Sequence, residues 1–169
     1  KLNFQLTNYL TMRKFLLSAF LLSFGLMNAQ TFVSTTPQNK KVILEEFTGV
    51  NCVFCPQGHV IANNIKNANP DNVFLINIHV GNFATPSGGQ PDFRTSFGTA
   101  IANQSGLTGY PAGTVNRTVF SGLSMSAGGT AMGRGNWTNA ANQILGQSSY
   151  LNVAVQGQIN AQTNQLTVT

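Results

Sequence analysis

The run KVILEEFTGVNCVFCPQGH, residues 41–59, decides how the chain is read. Residues 41–47 read as a strand, with Val42, Ile43, Leu44 and Phe47 for a core. Residues 48–51 form a turn, and Cys52-Val53-Phe54-Cys55 follows it. A helix is expected from about Pro56 to Ala68. Proline suits a first helical turn, where its missing N–H is not needed, and Val60, Ile61 and Ile65 give a partial apolar stripe. A helix N-terminus presents free N–H groups and the positive end of the dipole. A thiolate there is stabilised, and its pKa falls below the free value of about 8.5. With two residues between the cysteines, Cys52 is expected at the exposed turn and Cys55 facing inward one turn along. The first thiolate can attack a disulfide and the second can resolve the mixed disulfide. These are the only two cysteines in the chain.

Downstream, residues 69–72 are a turn and residues 73–80 (VFLINIHV) a second, mostly apolar strand. Residues 81–91 read as loop. Residues 92–104 suit a helix using Phe93, Phe97, Ala100 and Ile101, with both phenylalanines expected in the core. A turn over 106–111 leads to a third strand over 112–120. Residues 121–135, rich in Gly and Ser, read as a flexible loop without a strand of their own. Residues 136–145 suit a short helix with Trp137, Ala141, Ile144 and Leu145 on one side. Leu151, Val153, Val155 and Ile159 alternate with polar residues, and Leu166 and Val168 resume the alternation after a turn. That is a β-hairpin pattern, expected to open a β-rich, sandwich-like C-terminal domain.

Upstream, Met12-Arg13-Lys14 is a short basic segment, followed by the mostly apolar residues 15–27 and by Asn28-Ala29-Gln30. This reads as a secretory signal peptide cleaved after Ala29, with residues 1–11 lying ahead of a plausible start at Met12. A buried core helix is the alternative. The expected organisation is therefore a signal peptide (1–29), a polar leader (30–40), an α/β domain (41–147) and the beginning of an all-β domain (148–169). The expected location is outside the cytoplasm, where disulfides persist.

Composition fits such a chain. Of 169 residues, 8% are charged, against about 25% in typical soluble domains. Asn, Gln, Ser and Thr supply 60 residues instead. The net charge of +5 owes much to Lys1, Arg13 and Lys14; without them six scattered bases face four acids. A nucleic-acid partner would need a basic stripe with stacking aromatics, and none is visible. No apolar run reaches the roughly 18–20 residues of a membrane span, so a helical integral membrane protein is not expected.

The chain resembles the thioredoxin superfamily at three points: Cys52-Val53-Phe54-Cys55 after an apolar strand, Glu46 six residues before Cys52, and Tyr110-Pro111 ahead of the third strand. The resemblance implies a thioredoxin-like fold. It also implies that Glu46 assists proton transfer from the resolving cysteine. Pro111 is then a cis-proline packed against the cysteine pair, shaping a substrate groove with Val53, Phe54 and Tyr110. LEEFTGVNCVFCPQGH and GYPAGTVNR are further similar to the outer-membrane protein 28 family of Bacteroidetes-type bacteria. That likeness implies a signal peptide, a thioredoxin-like region and a β-rich C-terminal part, located in the periplasm or at the outer membrane.

Several readings stand beside these. The cysteines can be an inert structural pair, although so short a loop removes little chain entropy. Glu45 and Glu46 point to opposite faces of the strand, so one of the two is expected to be exposed. Cys52, Cys55, His59 and His79 carry the right atoms for zinc or copper, but their spacing fits no common zinc motif; Met125 and Met132 point to copper only weakly. Asn103, Asn116 and Asn136 match glycosylation patterns in a chain rich in Asn. The leading expectation is cofactor-free thiol–disulfide exchange in the cell envelope, with protein thiols or disulfides and a redox protein as partners. Cys52 attacks, Cys55 resolves, Glu46 relays a proton and Pro111 holds the substrate strand. A non-enzymatic surface-binding protein on the same scaffold is the second, and a metal chaperone the third. The Val53-Phe54 dipeptide does not fix the direction of exchange.

Overall fold

The computed structural model describes residues 33–168. The proposed signal peptide lies outside the described residues. Residues 38–149 form one compact unit. The described residues of the second unit are 33–37 and 150–168.

The first unit is a mixed α/β structure. Its strands are β1 (Val42–Thr48), β2 (Val73–His79), β3 (Ala112–Val115) and β4 (Met132–Gly133), in sheet order β2-β1-β3-β4. Its helices are α1 (Cys55–Ala68), α2 (Ser96–Ser105) and α3 (Trp137–Leu145). β1 and β2 are parallel, from Val42 opposite Val73 to Thr48 opposite His79. α1 makes the crossover that a parallel pair requires. β3 runs antiparallel to β1, with Glu46 opposite Gly113, and β4 antiparallel to β3. The sheet class follows from the sequence of β1, which is apolar on both faces as a central strand must be.

One face of the sheet carries the larger core. Val42, Leu44, Val73 and Val115 pack there with Ala62 and Ile65 of α1 and with Trp137, Ala140, Ala141 and Ile144 of α3. On the other face Phe47, Ile78 and Ala112 pack with Ala102 of α2. Beyond α2 that face is open, and Ile43, Phe74 and Ile76 are each nearly half exposed.

Four departures from the sequence reading have local causes. α2 starts at Ser96 and not at residue 92, because Thr95 caps it by accepting from the Gly98 N–H at 2.9 Å. Asp92 is already committed to its own turn, accepting from the Arg94 backbone and guanidinium. With that start, Gly98, Ala102 and Ser105 face inward, and Phe93 and Phe97 are exposed, not core. β3 ends at Val115 and not at 120, because Asn116 and Arg117 take left-handed backbone angles (φ 50° and 47°). The Asn116 side chain continues the ladder in place of backbone, accepting from Ile43 N and donating to Lys41 O. Asn is among the few residues that tolerate this conformation.

Residues 121–135 do contain a strand, the two-residue β4, too short for a periodic signal. The Gly/Ser loop ahead of it is pinned: Met125 N donates to Ala131 O, and the Ser126 hydroxyl to Gly106 O. Residues 38–40, assigned by sequence to the leader, bond to residues 147–149 through Lys40 N to Gln147 O and Ser149 N to Gln38 O.

In the second unit, β5 (Gly157–Asn160) and β6 (Gln165–Val168) form an antiparallel hairpin. Asn160 Oδ1 accepts from the N–H groups of Gln162 and Thr163 and shapes the turn. Ile159, Leu166 and Val168 are exposed on it. Asn152 Nδ2 donates to Ser34 O and Thr36 O.

Candidate active site

Cys52 and Cys55 are joined as a disulfide, with Cα atoms 5.4 Å apart. Cys55 is the first residue of α1 and Pro56 the second, so the sulfur sits where the unpaired N–H groups of the helix converge. Both cysteines are buried. This corrects the expectation of an exposed Cys52. The turn folds back through Cys52 N to Gly49 O at 3.1 Å and covers it. The groups that face solvent are Val53 and Phe54, 82% and 65% exposed.

The loop after β2 buttresses this turn. Asn51 N donates to Phe83 O at 2.9 Å, and Asn51 Nδ2 to Thr85 O at 2.8 Å. A Cβ on Gly49 would lie 2.3 Å from the Phe83 carbonyl, so only glycine allows this approach. The Phe83 ring, half exposed, meets Tyr110 edge-on at 5.5 Å. The Tyr110–Pro111 peptide bond is cis. Pro111 lies against α1: a Cβ on Gly58 would come within 3.2 Å of both Pro111 Cβ and Trp137 Cη2. Burial pushes the Tyr110 phenol above its ordinary pKa. Beside Tyr110 lies a cleft of about 650 Å³ that includes Asn82, Thr85, Arg94 and Asn103 in its walls.

Both acids of β1 are buried, which overturns the expectation that one is exposed. Each has its own partner on its own face of the sheet. Glu45 takes a bidentate ion pair from Arg117, at 2.8 Å to Nε and 2.6 Å to Nη2. The left-handed turn after β3 is what brings that guanidinium back over the strand. Glu46 faces α1, and its Oε2 lies 3.0 Å from His59 Nδ1. His59 Nε2 lies 3.4 Å from Thr48 Oγ1. Burial raises the pKa of Glu46, and the charge and hydrogen bond of His59 oppose this only in part.

That shift sets a sign. A carboxyl whose folded pKa lies above its unfolded value favours the protonated form in the fold. Its stabilising contribution is complete below the ordinary carboxylate range and is lost as pH rises through the raised value. Glutamine cannot ionise. Glu46→Gln in the oxidised protein is therefore expected to shift Tm more favourably, relative to wild type, at pH 8 than at pH 4. Paired thermal melts check this, and a pH-independent difference would contradict it.

His79, at the end of β2, packs its ring 5.1 Å from Phe93 and has a buried Nδ1 without a hydrogen-bond partner. Burial, and then the charge of His59, lower its pKa. Among the described residues no three His, Cys, Asp or Glu side chains converge as a metal site. The set Cys52, Cys55, His59 and His79 is accordingly not assembled. No described helix is long and apolar enough to cross a membrane.

Sequence reasoning missed two members of the site and named a third, His59, only as a possible metal ligand. Asn51 and Phe83 act through backbone contacts that leave no sequence signal. His59 did leave one: it lies one helical turn after Cys55, on a helix that packs over the Glu46 face of β1. No family model, curated protein or solved structure matches the chain.

Proposed function

We propose that the protein is a thioredoxin-like thiol–disulfide exchange protein of the cell envelope, similar in organisation to the outer-membrane protein 28 family. The observation that carries the reading is the Cys52–Cys55 disulfide at the N-terminus of α1. The sheet order β2-β1-β3-β4, the cis Tyr110–Pro111 bond ahead of β3 and the buried Glu46 support it. The apolar rim of Val53, Phe54 and Phe83 suits an unfolded or extended protein segment as substrate. Export rests on the sequence pattern of residues 12–29.

In this reading Cys52, at the helix N-terminus, is the attacking thiolate, and Cys55 resolves. No cofactor enters: the electrons move between sulfur atoms of the protein and its partners. The test is the alkylation rate of Cys52 against pH in the reduced chain. The thiol is expected to titrate well below the ordinary value of about 8.5. A midpoint at or above that value overturns the reading.

A non-enzymatic binding role is the second reading. The open sheet face of Ile43, Phe74 and Ile76 favours it, because a contiguous exposed apolar patch marks an interaction surface more often than chance. Under that role Cys52→Ser retains full binding function.

A further inference from the structure

We propose that His59 is the proton-exchange partner of Glu46: it keeps the buried pair electrically neutral while Glu46 takes and returns the proton of Cys55, and it connects the pair to water. The inference rests on the exchange reading above.

The geometry sets the division of labour. The Glu46 side chain is 4% exposed and that of His59 35%, so the histidine is the member in contact with solvent. They meet at 3.0 Å through His59 Nδ1, and Nε2 lies 3.4 Å from the hydroxyl of the buried Thr48. An ionised carboxylate buried alone is costly, and an imidazolium beside it offsets part of that cost. Burial pushes Glu46 towards its neutral form, and the His59 contact pulls it back in part.

Other charges are few. From β1, Glu45 faces the opposite side and is held by Arg117. From β2, His79 is the one titratable group, and it interacts electrostatically with His59. From α1, Cys55 and His59 itself are the titratable groups of the first two turns; Gln57 binds Arg134. β3 and α3 contain no titratable residue.

The proton balance closes. In the reduced resting state Glu46 is a carboxylate and His59 an imidazolium. The Cys52 thiolate attacks the partner disulfide, forming a mixed disulfide and releasing the first partner sulfur as a thiolate that takes a proton from water. The Cys55 thiol then gives its proton to Glu46, and its sulfur bonds to the Cys52 sulfur. The bond from Cys52 to the partner sulfur breaks, and the partner leaves as a thiolate that takes a proton from water. The cysteine pair is oxidised and the partner disulfide reduced. His59 releases its Nε2 proton to water, keeping Nδ1–H on Glu46. Both members are then neutral, so the buried charge is zero before and after. A dithiol partner that reduces the pair drives the same steps in reverse.

The experiment is stopped-flow release of thionitrobenzoate when the reduced full chain meets the aromatic disulfide dithiobis-nitrobenzoate. The first release reports attack by Cys52 and the second reports resolution by Cys55. In wild type the second phase is expected to vary with pH through the Glu46–His59 pair. General acid–base assistance is worth about 10²–10⁴-fold at most. His59→Gln should slow the second phase roughly tenfold at pH 7, a part of that, and raise its pH midpoint, while leaving the first phase unchanged. His59→Lys should restore the midpoint, because a cation is back, but not the rate, because an ammonium does not release its proton at this pH. His59→Asn serves if the glutamine variant melts early.

An unchanged second-phase profile in either neutral variant overturns the inference and leaves the exchange reading standing. Full rescue by lysine overturns proton exchange in favour of simple charge pairing. A wild-type chain with no second release overturns the exchange reading and this inference together.

Discussion

A Cys52→Ser chain is expected to lose all catalysed thiol–disulfide exchange, whereas a Cys55→Ser chain should accumulate mixed disulfides with its partners. The asymmetry follows from position. Cys52 precedes the helix, is 8% exposed and adjoins the exposed Val53 and Phe54, whereas Cys55 is the first helical residue and only 2% exposed. The Cys55 sulfur, the less accessible of the two, is placed to reach the sulfur three residues away to which it bonds here. The loss should be complete because serine cannot form the covalent intermediate. It should not be a folding defect. A loop this short removes only about 2 kcal/mol of chain entropy from the unfolded state when closed. Reduction of a model protein disulfide, with melting curves of each variant alongside, separates the two causes. Residual turnover in a well-folded Cys52→Ser chain would end the assignment of Cys52 as nucleophile.

The largest effect on stability is expected from Trp137→Ala, a loss of about 3–5 kcal/mol. Trp137 is fully buried at the start of α3, and it meets both α1 and β3: a Cβ on Gly58 or on Gly113 would come within 3.2 Å of its ring. Its indole N–H donates to Met132 O at 3.2 Å, so truncation also frees the carbonyl that anchors β4. Domains of this size are stable by only about 5–15 kcal/mol, so the variant stands near the edge of unfolding. Urea denaturation measures this, with Trp137→Phe expected to fall between the two. A shift under about 1 kcal/mol would show that the site collapses around the gap.

How legible all this was in the sequence depended on whether a signal was local. β1, α1 and β2 carry long apolar patterns and a helix-starting proline, and their boundaries agree with expectation to within a residue or so. The end of β3 was not legible, because it turns on two left-handed residues and on an Asn side chain that stands in for backbone. Phe93 and Phe97 misled because aromatic residues were given more weight than the capping Thr95. At the site, the cysteine pair was plain from its spacing. The burial of Glu45 was not, since it depends on Arg117, which lies 72 residues away along the chain. The Glu46–His59 contact is tertiary as well, and the helical spacing from Cys55 only hints at it.

The two carboxylates of β1 also solve a problem of alignment. A central strand that reads Val-Ile-Leu-Glu-Glu-Phe-Thr has apolar residues on both faces, so its hydrophobic pattern alone tolerates sliding by one position. Such a slide turns every side chain to the opposite face. One acid would then take the other's place, but its neighbour would fall into the buried position of Leu44 or Phe47, leaving a carboxylate in the interior without a cation. Such ion pairs add little net stability over an apolar core, but a buried carboxylate left without its partner carries an uncompensated desolvation cost. The acids thus act as a key cut on both edges. They hold the strand in the one alignment that sets Glu46 beneath the first turns of α1, and so fix the cysteine pair's surroundings through the architecture of the sheet.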